Sequence, residues 1–307
     1  MGGKISLKQW QQEAIELKML GRSGRAIARI LGRSKSSVNS FFQGLEAQQC
    51  FTKHTENKGP RVLFLDIETR FLVTQGWGLF NQNFGLEQIQ EDWTILSYSA
   101  KFLNSDEVIY SDVSEKAEDD LLEELYHLFD ISDFIIGHNL DRFDLPKIRA
   151  RMIARGFPPH SPVRTIDTLK IAKQEFKFTS NRLAYLTDLL CKVHKKQDHS
   201  KFAGHKLWKE FVKGNPEAIQ CMRDYNQTDV TSLEELYLIL APWSTKAPQF
   251  ELYGEEIDMS AWEPCGYVYT NLAKYQKFRN KETGQFKRGR VNLLSKEERS
   301  SLLANIT

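Results

Sequence analysis

The sequence predicts an α/β layered domain preceded by a small all-α domain. Three observations carry this prediction: apolar runs of strand length begin after residue 60, helical patterns alternate with them further on, and the first 50 residues hold helical patterns alone. The chain has 307 residues, of which 41% are hydrophobic, enough to bury one substantial core. We therefore expect one large domain with appendages.

The elements of the large domain follow from hydrophobic periodicity and from turn residues. Apolar runs predict four strands, at 61–67, about 94–102, 107–112 and 133–137. Helical periodicity predicts six helices, at 117–129, 144–156, about 165–176, 181–191, 204–213 and 215–241. A polar stretch containing Gly59 and Pro60 places the start of this domain near residue 60.

Three short helices are predicted in the first 50 residues. Trp10, Ala14 and Leu17 recur at helical spacing, Gly32 ends a second helix at about 24–31, and Ser34 is suited to cap a third. The stretch GRSGRAIARILGRSKSSV resembles the helix-turn-helix modules of resolvases and transposases. By this resemblance, residues 1–50 bind DNA through a recognition helix. The polar stretch that follows predicts a linker over 51–60. The implied DNA contacts are Arg33, Lys35, Ser36, Ser37 and Asn39. Helix pairs of this kind also occur in bundles with no DNA role.

Charge is segregated along the chain, although the formal net charge is only +2. Residues 1–50 carry 8 basic and 3 acidic side chains, 271–307 carry 9 and 3, and the middle carries 25 and 34. Basic ends around an acidic centre indicate that the ends hold a polyanion while the centre holds cations. Nucleic acid with a divalent metal fits both halves of this pattern.

Composition also limits the compartment and the class of protein. The four cysteines lie far apart without a CxxC pair, so neither a disulfide framework nor a cysteine-rich zinc site is indicated. No apolar stretch approaches the roughly 20 residues that span a bilayer, and the first residues lack the apolar core of a signal peptide. We expect a cytoplasmic protein with no membrane partner.

Acidic residues at three places in the large domain are candidates for a metal centre. Asp66 and Glu68 end the apolar run VLFLDIET, where period-2 geometry points both to one face of a strand. Asp144 begins a helix after the stretch IIGHNL, and Tyr225 and Asp229 are four apart on one helix face. Four carboxylates at one place would repel unless divalent cations lay between them. Two Mg²⁺ or Mn²⁺ ions about 4 Å apart could then activate water and stabilise a leaving 3′ oxygen.

These segments resemble the three motifs of the DEDD, or proofreading-type, 3′–5′ exonucleases. DIE, NLDRFD and YNQTD match in order and local context across roughly residues 61–243, and the tyrosine in the third motif marks the DEDDy branch. The sequence between these three motifs resembles phage-type exonucleases of the ribonuclease H-like superfamily. If a phage encodes the protein, the expected compartment is the cytoplasm of its host. The resemblance implies a ribonuclease H-like mixed sheet flanked by helices, and two divalent metal ions.

The resemblance also implies roles for single residues. The implied metal ligands are Asp66, Glu68, Asp144 and Asp229, with Tyr225 orienting the attacking water. Asn139 and Phe143 are substrate-side or motif-supporting positions. Asp141 competes with Asp144 for the motif, and Asp167 is either a carboxylate near the site or a helix cap. The basic loop with Lys195, Lys196 and Lys201 is a candidate contact to the substrate backbone, with structural zinc a weaker alternative there.

The region 244–307 interleaves rings with cations, a composition typical of nucleic-acid surfaces. It resembles the zinc-ribbon tail of related phage proteins, but only Cys265 remains, so a small hairpin with Gly284 at its turn is expected without metal. A disordered basic tail is the alternative. The predicted DNA contacts are Lys287, Arg288 and Arg290.

Together these features predict a metal-dependent 3′–5′ exonuclease that acts on single-stranded DNA or on the 3′ ends of duplex DNA. RNA is also a possible partner, because the active-site carboxylates do not distinguish ribose from deoxyribose. Three alternatives remain: an exoribonuclease, a structure-selective endonuclease of the same fold, and a DNA-binding regulator with a vestigial nuclease domain.

Overall fold

A computed structural model divides the chain into two compact units, Met1–Lys58 and Gly59–Thr307. The break lies beside the boundary expected near residue 60. The structure describes residues 10–11, 13–14, 17, 24–34, 36–39, 41–42, 59–78, 82–194, 202, 204–248, 250, 259–270 and 272–302.

The first unit is helical at the described positions that were predicted to be helical. Helix α1 spans Gly24–Ile30, and residues 36–39 and 41–42 are also helical. Ser34 Oγ accepts a hydrogen bond from the Ser37 backbone N–H at 3.1 Å, which is the predicted helix cap. Ala14, Ile27 and Val38 are buried together in a small core. That these helices form a DNA-binding helix-turn-helix stays a prediction.

The second unit is built on a five-stranded mixed sheet. Its strands are β1 (Val62–Thr69), β4 (Ile95–Phe102), β5 (Val108–Asp112), β6 (Phe134–Gly137) and β7 (Arg164–Asp167), in the order β5-β4-β1-β6-β7. β1 pairs antiparallel with β4 and parallel with β6, so β1 lies at the centre. Two short strands, β2 (Val73–Thr74) and β3 (Ile89–Glu91), pair separately.

Helices cover both faces of this sheet, so the predicted α/β class with a mixed sheet is confirmed. They are α2 (Glu118–Asp130), α3 (Asp144–Ala154), α4 (Thr168–Glu175), α5 (Leu183–Leu190), α6 (Lys206–Val212) and α7 (Pro216–Leu240). None of the described helices combines the length and the apolar character that crossing a bilayer requires.

One predicted element is wrong in part. The helix expected over about 165–176 begins only at Thr168, because Arg164–Asp167 forms strand β7. Four residues are too few to show a period, and here parallel pairing with β6 decides the conformation. Asp167 then caps α4 by accepting the Leu169 backbone N–H at 3.0 Å.

The two faces of β1 are buried in different cores. Leu63, Leu65 and Ile67 pack with residues of α2 and α3 on one side of the sheet. Val62 and Phe64 pack on the other side with residues of α4, α5 and α7. Period-2 geometry therefore places Asp66 and Glu68 on the α7 side, in line with Val62 and Phe64.

The C-terminal region forms a second, three-stranded antiparallel sheet. Its strands are β8 (Trp262–Thr270), β9 (Ala273–Asn280) and β10 (Phe286–Arg288), with β9 in the middle, and helix α8 (Lys296–Ser300) follows. Gly284 lies in the turn between β9 and β10 with φ +72°, as the predicted hairpin requires. The described part of this region is therefore folded, with β8 as a strand beyond the expected hairpin.

Candidate active site

Helix α7 carries a polar interruption between two apolar segments. Ala218 and Met222, near its start, pack against α6, and Val230 and Leu233 pack against the α7 side of the sheet. Between them lie Tyr225, Asn226 and Asp229. Asp229 is only 2% exposed and Asn226 is fully buried, so this polar stretch faces the protein interior.

The polar stretch of α7 meets the two acids of β1. Oxygen atoms of Asp66, Glu68 and Asp229 all lie within 4.8 Å of one another. Three carboxylates this close repel strongly, and oxygen donors of this kind are what Mg²⁺ and Mn²⁺ prefer. The donor set therefore fits a divalent metal, and three of the four predicted ligands are together in the structure.

Asp144, the fourth predicted ligand, is fixed against the backbone between the two acids of β1. Parallel pairing of β1 with β6 stops at Phe64, and further along this edge the Ile67 backbone N–H donates to Asp144 Oδ1 at 3.1 Å. Asp144 is 3% exposed. Burial raises its pKa to about 7, and the nearby charge of Asp167 adds to the rise although the Ile67 hydrogen bond opposes it.

A tight turn after β6 delivers Asp144 to this place. A Cβ atom at Gly137 would lie 2.7 Å from Cβ of Leu140, so the close return of the chain requires glycine. Asn139 has φ +69°, in the left-handed region that asparagine tolerates, and its N–H donates to Asp167 Oδ1 at 2.9 Å. Asn139 thus acts here through its backbone, and Asp167 holds the turn in addition to capping α4.

Asp141, which competed with Asp144 in the sequence, lies on the outer side of the same turn. Its Oδ2 forms an ion pair with Lys170 Nζ at 2.6 Å. That bond lowers the pKa of Asp141 against the opposing effect of partial burial. Asp141 is therefore engaged at the surface, while Asp144 contacts β1.

Tyr225 is held beside the carboxylates. Burial raises its pKa above the ordinary value, and the negative charges of Asp229, Glu68 and Asp66 raise it further. The phenol therefore stays protonated and donates a hydrogen bond to Asp229, one helical turn away as predicted. Its ring meets the Trp208 ring edge-on, with centroids 6.2 Å apart.

Two residues that the sequence did not single out hold the acids of β1 in place. Asn226 Nδ2 donates to Asp66 Oδ2 at 2.6 Å, and Asn226 Oδ1 accepts from Ser97 Oγ at 3.2 Å. Trp208 Nε1 donates to Glu68 Oε2 at 2.9 Å. The sequence does carry a signal for Asn226, because this polar residue lies four positions after Met222, on the apolar face of the helix. It carries no signal for Trp208, because the residue that Trp208 contacts is 140 positions away.

A cleft of about 610 Å³ opens next to Glu68. Its lining includes Trp208, Trp93, Phe143 and Lys147, and the predicted substrate-side residue Phe143 is thus placed in it. Lys147 Nζ lies 3.8 Å from the centroid of the Trp93 ring and 5.2 Å from that of Phe143. The cleft therefore presents rings and a cation directly beside the acidic cluster.

The remaining predicted contacts belong to the first unit, to the basic loop and to the C-terminal region. Lys35, Lys195, Lys196 and Lys201 are outside the described residues. In the first unit Arg33, Ser36 and Ser37 are exposed and Asn39 is half-buried. In the C-terminal region Arg288 and Arg290 are exposed, whereas Lys287 lies over the Trp262 ring at 3.9 Å from its centroid.

Comparison with known proteins identifies the family. A family model described as the RNase H superfamily matches residues 63–241, from β1 to the end of α7. No curated protein gives a significant match to the sequence. A solved structure of the family B DNA polymerase from the hyperthermophilic archaeon Pyrobaculum calidifontis is similar at 15% identity and a TM-score of 0.44. The similarity covers 63% of this chain and 27% of that polymerase. Because the family model spans more than half of the sequence, the chain belongs to the RNase H superfamily.

Proposed function

We propose that the chain is a metal-dependent 3′–5′ exonuclease that hydrolyses DNA. The observation that carries the proposal is the acidic cluster, in which oxygens of Asp66, Glu68 and Asp229 lie within 4.8 Å of one another. Asp144 is fixed against the same strand through Ile67. This is the ligand set that the resemblance to DEDDy exonucleases implies, and it supports two divalent ions, Mg²⁺ or Mn²⁺, as cofactors.

The residues around the cluster have complementary roles in this proposal. Bound divalent ions supply a water of lowered pKa and neutralise charge on the phosphate. The protonated Tyr225 hydroxyl orients the attacking water, as the resemblance implies for this position. Asn226 and Trp208 keep the carboxylates of β1 in fixed orientations through the hydrogen bonds they donate. No covalent intermediate with the protein is needed.

The cleft beside Glu68 suits the terminal nucleotide of the substrate. Phe143, which is 37% exposed, offers a ring on which an unpaired base can stack, and Lys147, which lies over the Trp93 ring, offers a positive charge to a phosphate. The predicted helix-turn-helix in the first unit favours DNA over RNA as the natural substrate, because such modules read the major groove of duplex DNA.

The test uses 5′-labelled single-stranded DNA, duplex DNA and RNA of one sequence, each with Mg²⁺, Mn²⁺ or EDTA. We expect a ladder that shortens from the 3′ end of DNA, release of mononucleotides, and no reaction in EDTA. The Asp66→Asn, Glu68→Gln double variant should lose hydrolysis while keeping its affinity for DNA.

Three outcomes would contradict the proposal and identify an alternative. Internal cuts in a DNA substrate with a blocked 3′ end indicate an endonuclease. Degradation of RNA in preference to DNA indicates an exoribonuclease. DNA binding by the wild-type protein without hydrolysis in either metal indicates a regulator with a vestigial nuclease domain.

A further inference from the structure

The C-terminal sheet has two faces of different character, and strand register assigns each residue to one of them. Residues directly opposite each other in antiparallel strands point to the same side. Phe286 pairs with Arg279 and Arg288 with Lys277, while Tyr275 lies two residues before Lys277 on β9. We call the side formed by Tyr275, Lys277, Arg279, Phe286 and Arg288 the Phe286 face.

The opposite side is partly packed. Trp262 is only 8% exposed, and Lys287 places its ammonium over the Trp262 ring. Tyr267 and Tyr269 are exposed at the far end of this side, where Lys274 lies 4.2 Å from the centroid of the Tyr267 ring. Lys287 and Lys274 therefore both lie over rings of their own side of the sheet.

The Phe286 face is open and combines rings with three cations, and Glu263 lies opposite Arg279 on the same face. Phe286 is 58% exposed, and Arg279 and Arg288 are exposed beside it. Arg288 lies 4.0 Å from the centroid of the Tyr275 ring, and Lys277 lies 5.6 Å from that of Phe286. These cation–π contacts hold the positive groups next to the rings.

This combination selects one kind of partner. An apolar protein or lipid surface would strip water from three cations without pairing them, which is unfavourable. A nucleic acid brings phosphates to the cations and flat bases to the rings. In a duplex the base faces are already stacked on one another, so only an unpaired strand can stack a base on the exposed Phe286 ring.

We propose that the Phe286 face binds single-stranded nucleic acid without sequence preference, with a base stacked on Phe286 and phosphates near Arg279 and Arg288. The inference deepens the proposed function, because it rests on the chain acting on nucleic acid. It requires no cleavage by this face, whose described carboxylate Glu263, opposite Arg279, does not belong to the acidic cluster of Asp66, Glu68 and Asp229. Of the predicted contacts, Arg288 lies on this face and Lys287 on the other side of the sheet.

The experiment measures binding of the full-length protein to a fluorescein-labelled oligothymidylate by anisotropy, in EDTA and over a series of salt concentrations. Phe286→Ala should weaken binding by about 5- to 150-fold, the range for loss of one stacked base. Arg279→Ala with Arg288→Ala should lower the slope of log affinity against log salt by about 1.4, since two phosphate contacts are lost.

Tyr269→Ala is the matched control, because Tyr269 is 68% exposed but lies on the opposite side. It should bind like the wild-type protein, and all variants should keep the wild-type melting temperature. A Phe286→Ala affinity within two-fold of wild type overturns the inference, as does an equal loss in Tyr269→Ala or an equal loss of binding to blunt duplex.

Failure of this inference and failure of the proposed function give different results. If the wild-type protein cleaves DNA but the Phe286 face variants bind oligothymidylate normally, only the inference fails. If the variants lose binding as expected but the wild-type protein cleaves nothing in Mg²⁺ or Mn²⁺, only the proposed exonuclease fails.

Discussion

The five-stranded and the three-stranded sheets of the larger unit place charge in opposite environments. At the central sheet, Asp144 and Asp229 are 3% and 2% exposed and their neighbours Asp66 and Glu68 accept hydrogen bonds from Asn226 and Trp208. At the C-terminal sheet, Arg279 and Arg288 are exposed to water. Buried charges interact strongly, whereas water and salt screen exposed ones.

This difference indicates which function each sheet can serve. Fixed carboxylates, two of them buried and two half-buried, suit a reaction in which ligand positions must be accurate. Exposed cations and rings suit a partner whose sequence and exact position vary, because each contact is weak and the contacts add together. Substitutions at the central sheet should therefore have much larger effects on hydrolysis than those at the C-terminal sheet.

The largest effect should come from Asp66→Asn, which keeps the shape of the side chain but removes its charge. We expect the hydrolysis rate to fall by at least about 1,000-fold, because the metal contribution is worth several kcal/mol. Single-turnover kinetics in Mg²⁺ measures this. Asp141→Asn is the control, since Asp141 pairs with Lys170 outside the cluster. Equal hydrolysis rates for Asp66→Asn and the control would show that the acidic cluster at the central sheet takes no part in catalysis.

A smaller loss is expected for Asn226→Ala, which leaves all the carboxylates in place. Because Asn226 fixes the orientation of Asp66, its loss should lower metal affinity or rate by about 10- to 100-fold. A Mg²⁺ titration of the rate should show partial recovery at high metal concentration. Ser97→Ala removes only the outer hydrogen bond to Asn226 and should have a milder effect. An unchanged Mg²⁺ dependence in Asn226→Ala would contradict the proposed positioning role.

Trp208→Phe tests a single hydrogen bond at the edge of the cluster. The phenylalanine keeps a ring against Tyr225 but cannot donate to Glu68, so we expect a loss of about 2- to 10-fold in rate. Trp243→Phe is the control, because Trp243 is exposed and packs on Phe176. A loss of 1,000-fold would mean that Trp208 contacts the substrate rather than only holding Glu68.

The smallest expected effect is on stability and comes from Asp144. Since burial raises the pKa of Asp144 from 3.8 to about 7, the folded protein binds this proton more tightly than the unfolded chain. The resulting stability is complete below about pH 4 and is lost as pH rises through 7. In EDTA at pH 8, Asp144→Asn should therefore melt above the wild-type protein, by about 2–4 °C for each kcal/mol.

The pH series provides the check on this prediction. The difference in melting temperature should shrink as pH falls from 8 to 5, because the wild-type carboxyl then takes up its proton. Mg²⁺ should stabilise the wild-type protein more than the variant, since only the wild-type site keeps all four carboxylates. A constant difference across this pH range would show that Asp144 is not buried as described.

Much of the fold could be predicted because its elements have strong local signals. The apolar run of β1 and the 25-residue pattern of α7 predict these two elements to within two residues of their ends. Strand β7 falls inside a predicted helix because four residues carry no clear period, and the sequence does not predict β8 because most of its residues are exposed. In both strands, pairing with a neighbour decides the conformation.

For the site, the sequence by itself determined which residue types stand on which faces. Period-2 spacing put Asp66 and Glu68 on one side of a strand, and four-residue spacing put Tyr225 and Asp229 on one side of a helix. Only the tertiary structure decided that these faces meet, and that Asp144 accepts a hydrogen bond from the Ile67 backbone N–H. It also decided that Asn226 and Trp208 donate hydrogen bonds to the acids of β1. The physical reason is range: periodicity is a property of neighbouring residues, whereas these contacts join atoms 77 to 160 positions apart.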